Sequence, residues 1–199
     1  MKKTKIDWAD YTWNPVIGCK HGCSYCYARA WSKRSGRSFE PAWSEGQYRK
    51  PYKIKEPSKI FVCSLADLFG DWIPKEWIDK VFRVVKENPH HEFMFLTKNP
   101  KRMAEFIFPD NSWAGTTIED INKFERLRKL QEVIAKKKFI SFEPLLGEIE
   151  FDFTGQGIDL AIIGADTSRG GIKPKAEWDK ITGVNKFYKE NIKKIISNK

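Results

Sequence analysis

Short apolar or β-rich runs alternate with polar, helix-like stretches along most of the chain, and this alternation restricts the fold more than any other feature. The runs fall at 59–64 (KIFVCS), 92–97 (EFMFLT), 112–117 (SWAGTT), 138–142 (KFISF) and 159–164 (DLAIIG), with an earlier strand expected at 11–18. Runs as continuous as LAIIG suit strands covered on both faces, as in a parallel sheet. Between them, 74–87 places Trp77, Ile78, Val81, Phe82 and Val85 on one helical face, with Pro74 in the first turn. In 119–135 a second stripe runs through Ile121, Phe124, Leu127, Leu130 and Ile134, and both stripes are expected in the core. Thr97 or Asn99 is placed to cap a third helix opening at Pro100. Six such units in 199 residues come to about 33 residues each, the size of a βαβ repeat. A closed eightfold barrel takes about 250. The pattern therefore predicts an α/β fold, an incomplete (β/α)6 barrel of mostly parallel strands forming a single domain over 1–199. An open doubly wound sheet is the alternative. In both, a functional site belongs at the carboxyl ends of the strands.

The first strand runs straight into GCKHGCSYCYAR, 18–29, which holds three of the four cysteines. No apolar run of membrane-spanning length occurs, and MKKTKIDWAD lacks the apolar core of a signal peptide, so a cytoplasmic, non-membrane protein is expected. In a reducing compartment clustered thiols point to metal or redox chemistry before disulfides. The spacing Cys19-x3-Cys23-x2-Cys26 suits one metal centre on one loop. A closed zinc site wants a fourth ligand. His21 and Cys63 are the candidates for it, and neither repeats a paired knuckle. A [4Fe–4S] cluster held by three cysteines keeps one iron open.

This loop resembles the signature of the radical SAM superfamily, including an aromatic residue, Tyr25, before the third cysteine. DYTWNPVIGCKHGCSYCYA, IFVCSLADLFGDWIP, FLTKNPKRM, WAGTTIED and ISFEPLLGEI are similar, in that order, to a phage-associated radical-SAM-like family without an assigned reaction, distantly akin to spore photoproduct lyase. The resemblance implies a partial barrel, a [4Fe–4S] cluster on Cys19, Cys23 and Cys26, and S-adenosylmethionine on the open iron, cleaved by one-electron reduction. It also implies an electron donor. It supplies no substrate. The chain departs from the family at GADTSRGGIKPK, where a Gly-Gly-Glu-Ser-Gly pattern is usual and Asp166 stands near the Glu, and its C-terminal region looks shortened.

On the same resemblance, Ser64 and Asp67 in CSLAD are placed to bind the cofactor's ammonium, Asp67 first because a carboxylate suits an ammonium; the bland reading of Asp67 is a helix cap. Thr117 and Glu119 follow the fourth strand, for ribose hydroxyls, with Glu119 equally an ordinary first-turn acid. Glu143, forced extended by Pro144, is expected to project at the fifth strand's end, toward cofactor or substrate ahead of the alternative, a structural salt bridge. Cys63 is either a buried apolar thiol or a hydrogen-atom donor, as a cysteine is in spore photoproduct lyase. Lys98 and Arg102 are candidates for substrate phosphate or plain helix-start cations. Asn14 is expected to brace the loop or to hydrogen-bond near the cluster, Trp13 to lie in the core, His21 to be exposed, and His90 and His91 to sit in a loop.

The net charge of +10 favours a polyanionic partner, with Lys98, Arg102 and the run KRSGR around one opening, so a nucleic acid or nucleotide substrate is the expectation. P-loop, nucleophile-elbow and zincin motifs are absent, which excludes those chemistries in their usual form. A zinc-stabilised nucleic-acid-binding module without catalysis is the competing reading.

Overall fold

Parallel pairing dominates the computed structural model, which describes residues 1, 3–168 and 170–196. β1 (Tyr11–Trp13) passes through the short β2 (Val16–Ile17) into the cysteine loop, then α1 (Tyr27–Arg34), β3 (Ala42–Trp43) and α2 (Glu45–Tyr48). The chain continues as β4 (Lys59–Val62), α3 (Lys75–Lys86), β5 (Glu92–Thr97), α4 (Pro100–Met103), β6 (Ser112–Thr117), α5 (Glu125–Gln131) and β7 (Lys137–Phe142). It ends with β8 (Ile149–Asp152), β9 (Leu160–Ile163), β10 (Asp179–Thr182), β11 (Asn185–Tyr188) and α6 (Glu190–Ile196). One seven-stranded sheet, in the order β1-β4-β5-β6-β7-β9-β11, is parallel throughout. It curls into a half-barrel.

The five predicted runs at 59–64, 92–97, 112–117, 138–142 and 159–164 are strands of this sheet. The expected strand at 11–18 is broken, because Val16 and Ile17 leave the sheet to pair antiparallel with Ala42 and Trp43. The sheet also has a seventh strand, β11, that the periodicity did not announce. The last two crossovers carry β8 and β10, paired with each other, instead of a helix, so strict strand–helix alternation stops after β7.

Alternation along each strand divides the core in two. Ile60, Val62, Phe93, Phe95, Ile140 and Phe142 face the helices, where α3 contributes Ile78, Val81, Phe82 and Val85. Each such side chain stabilises the fold by roughly 1.5–3 kcal/mol when fully buried. On the concave face Phe61, Met94, Phe139 and Ile162 pack around Trp8. Gly115 makes room there: a Cβ on it would lie 2.4 Å from the Phe139 ring. Trp8 comes from the N-terminal segment, which lies across the gap between the two edge strands. Lys3 pairs with Tyr11 on β1, and Glu190 N beyond β11 donates to Asp7 Oδ2 at 2.8 Å.

The second predicted stripe needs correction at both ends. Leu127 and Leu130 are buried, but Ile121 and Ile134 are exposed, because the helix occupies only Glu125–Gln131. Asp120 caps a separate 3-10 turn at Ile121–Lys123, its side chain accepting from Asn122 N. Asn99 is the α4 cap, accepting from Arg102 N, and Trp13 is wholly buried as expected. No described helix is long and apolar enough to cross a membrane.

Candidate functional site

Seven parallel strands bring seven carboxyl ends to one rim, and the singled-out residues follow those ends. A cavity of about 670 Å³ opens there, with Cys19, Cys23 and Cys26 on one wall and Cys63, Ser64 and Asp67 on the next. Lys98, Thr117, Glu143, Asp166 and Lys189 complete the ring, and Trp8 and Ser141 form part of the lining below. Trp8 Nε1 and Ser141 Oγ are buried without a hydrogen-bond partner. A buried donor or acceptor without a partner normally costs about 1–3 kcal/mol, so these atoms mark where a bound polar group would be rewarded.

Gly18 sets the path of the cysteine loop. Its φ is +84°, and a Cβ would lie 2.2 Å from the Glu40 carbonyl oxygen. Only glycine accepts both conditions. Gly18 N donates to Leu65 O at 3.0 Å and Cys19 N to Phe39 O at 3.1 Å, which pins the loop between two neighbours. Cys26 is the N-cap of α1, its sulfur accepting from Arg29 N at 3.4 Å, while Arg29 Nη2 donates back to Cys19 O at 2.8 Å. Burial pushes the Cys19 thiol up to about 11, and the charges of Asp67, Cys23 and Cys26 add to the rise.

Asp67 is the buried brace of this wall. Its Oδ1 accepts from Thr97 Oγ1 (2.6 Å) and Phe69 N (3.1 Å), and its Oδ2 from Lys98 N (2.9 Å). His21 Nε2 lies 2.7 Å from the same Oδ2. A carboxylate offers about four acceptor positions, so all are taken within the chain. Burial works to raise this carboxyl, but the bonds from His21, Thr97 and Lys98 outweigh it and hold it below the usual range. His21 was expected exposed; it is half-buried, paired to Asp67 and edge-on to Trp72 at 4.9 Å between ring centroids.

Behind the cavity wall Glu119 gathers three donors. Tyr25 OH and Lys98 Nζ donate to Oε1, and Arg126 Nη1 donates to Oε2 at 2.9 Å. Lys98 Nζ also donates to Tyr25 OH at 2.5 Å. Burial opposes ionisation of Glu119, yet Lys98, Tyr25 and Arg126 together hold its carboxyl below the usual range. The Tyr25 phenol is driven upward, by burial first and then by Glu119.

Cys63 is 3 % exposed and sits at φ +59°, a left-handed conformation that few non-glycine residues adopt. Cys63 N donates to Trp13 O and Ala66 N to Cys63 O, which fixes that turn. Burial pushes its thiol up to about 12, so it stays protonated. Asn14 braces the β4 end: its Oδ1 accepts from Leu65 N and Ser64 Oγ. Glu143 is bound by Lys189 Nζ from beyond β11.

Of the two cations singled out, Lys98 alone lines the cavity. Arg102 donates both terminal nitrogens to the carbonyls of Gly70 and Ile73, bracing the loop before α3. His90 and His91 lie in the turn before β5, at the opposite end of the strands. Lys189 and Trp8 gave no sequence signal, one lying past an unread strand and the other on the N-terminal segment. Arg126 was hidden among the polar positions of a helical stripe.

Among the described residues, no group of three or more His, Cys, Asp or Glu converges to hold a metal ion. A cluster demands less convergence than a single ion, since each cysteine binds a different iron. The three thiols line one cavity, on a loop with exposed Gly22 and Ser24, and by their donor chemistry they are the residues that would hold such a group.

A family model described as a protein of unknown function (DUF5131) matches residues 3–185. An uncharacterized protein of Methanocaldococcus jannaschii is 25 % identical over 134 residues, covering 66 % of this chain and 46 % of its own length. The chain thus spans less than half the length of that curated relative. No solved structure matches.

Proposed function

From a chain that belongs to the DUF5131 family, described only as proteins of unknown function, we propose a radical SAM enzyme acting on a nucleic acid or nucleotide. The observation that carries this reading is one cavity at the strand ends, walled by Cys19, Cys23 and Cys26 and ringed by Lys98, Thr117 and Glu143. The half-barrel is then the six-unit partial barrel of that superfamily, extended by β11. When bound, a [4Fe–4S] cluster on the three cysteines, with S-adenosylmethionine, supplies one-electron reductive cleavage of a sulfonium; a separate protein or reductant supplies the electron.

The chain's own residues do the rest. Asp67 holds His21 and the backbone of Lys98, and so fixes the cysteine wall against the strand ends. Ser64 and Thr117 offer hydroxyls to the cofactor's polar groups. Tyr25, Lys98 and Glu119 close the wall behind the loop. Glu143 reaches the cavity from its tie to Lys189. Cys63, a protonated thiol inside the cavity, is placed to donate a hydrogen atom to a substrate radical. The apolar concave face excludes water from the space above it.

The test is anaerobic reconstitution followed by dithionite reduction with S-adenosylmethionine. About four iron and four sulfide per chain and release of 5′-deoxyadenosine are expected. Cys23→Ala should lose the iron, while Cys63→Ala keeps both iron and cofactor cleavage. Stoichiometric zinc in place of iron after anaerobic purification would overturn the reading in favour of the non-catalytic module.

A further inference from the structure

α1 leaves the cysteine loop and carries an unusual outer face. Tyr27 is 57 % exposed and Trp31 43 %, although large aromatic rings normally avoid water. At spacing i, i+4 and i+7, Tyr27, Trp31 and Arg34 share one helical stripe, with only the small Ala30 between them. The helix buries Ala28 and Ser32, about 100° round from Tyr27 and Trp31, and leaves the stripe itself exposed.

The rings are held, not loose. Tyr27 OH donates to Ser64 O at the end of β4, and Tyr27 itself lines the cavity. The Arg37 guanidinium lies 5.1 Å from the Trp31 ring centroid. Residues 27–37 contain Arg29, Lys33, Arg34 and Arg37 and no acid. Among the described residues, Lys33, Arg34 and Arg37 have no ion-pair partner.

We propose that this face is a docking platform for single-stranded nucleic acid, whose bases stack on Trp31 and Tyr27 while Lys33, Arg34 and Arg37 take the phosphates. The platform leads from Trp31 through Tyr27 into the cavity, so a strand lying on it delivers one nucleotide to the strand ends. This deepens the proposed function and rests on its nucleic-acid half. Duplex DNA is disfavoured because its base faces are already stacked. A second copy of the chain is disfavoured because a two-fold contact would set these unpaired cations against themselves. The sequence showed the charge of 33–37 but no stacking platform; the exposure of two rings on one stripe reveals it.

Fluorescence anisotropy of the protein tests this with a labelled oligothymidylate of about twelve nucleotides, within the range such grooves cover. The same protein is titrated with an abasic deoxyribose-phosphate strand and a duplex of equal length. Oligothymidylate should bind more tightly than either. Trp31→Ala should weaken it by roughly 5- to 150-fold, the range for one stacked base, and Trp31→Tyr should restore most of the loss. The abasic strand should not respond to Trp31→Ala. Equal binding of oligothymidylate and abasic strand by the wild type overturns the proposal, even if Trp31→Ala disturbs the fold. So does duplex binding as tight as the single strand, or wild-type affinity in a folded Trp31→Ala. The titration needs neither iron nor cofactor, so strand binding without cofactor cleavage removes the radical reading and keeps the platform.

Discussion

Glu119 shows how much of this site is held by one side chain. Its carboxylate, 8 % exposed, answers Lys98 and Arg126, themselves only 17 % and 16 % exposed, as well as the Tyr25 phenol. Removing the acid strands two half-sequestered cations, so Glu119→Ala should lower unfolding free energy by about 3–5 kcal/mol in a urea titration. The carboxyl lies below its usual range in the folded chain. Its stabilisation is therefore complete above the unfolded value near 4.3 and is lost as pH falls through the lower folded value. Glu119→Gln should flatten the acid limb of stability below about pH 4, with little change in pH dependence above 6. The sequence placed Glu119, Asp67 and Lys98 after strand ends correctly, because strand runs are legible; Cys63, read as the last residue of its strand, lies just beyond it. It left open whether Asp67 was a free acid, since that depends on where Thr97, Phe69, Lys98 and His21 deliver their hydrogens.

At the scale of elements, legibility followed apolar continuity. DLAIIG announced its strand; Asn185–Tyr188, NKFY, did not, because two polar residues and a turn glycine precede only two aromatics. β11 is a strand because β9 offers an unpaired edge, with Phe187 packed on the concave cluster. Helix 119–135 was over-read for the opposite reason: Glu119 is drawn into the site and Asp120 starts a 3-10 turn, so the apolar spacing continues where the helix does not. The unread strand also delivers Lys189 to Glu143, with side chains 15 % and 27 % exposed. Lys189→Ala should therefore cost about 1–3 kcal/mol and leave Glu143 without its cation at the cavity. Lys75→Ala, which breaks the exposed helical pair with Asp79, should cost only about 0.3–0.5 kcal/mol. Equal losses in parallel unfolding curves would contradict this ranking.

Across the whole molecule the charge of +10 matters by its placement. Arg102 is committed to carbonyl oxygens, whereas Lys33, Arg34 and Arg37 face solvent at the far end of α1 and just after it. Each phosphate neutralised on a single strand contributes about −0.7 to the log–log salt slope, so three contacts give about −2. Arg34→Ala should reduce that slope by about 0.7, and Arg102→Ala should leave it unchanged, in oligothymidylate titrations across salt. A changed slope in Arg102→Ala would mean that its guanidinium leaves the Gly70 and Ile73 carbonyls. The sheet that carries all this is a split ring. A closed barrel is a hoop whose girth is fixed by its strand number and stagger. Here the circumference is interrupted between β1 and β11, and the span is carried by residues 3–9 with Asp7 latched to the start of α6. Such a ring keeps its bore by what bridges the seam instead of by ladder bonds: Trp8 wedged in the concave cluster and Asp7 on the backbone of Glu190 set the spacing of the two edges.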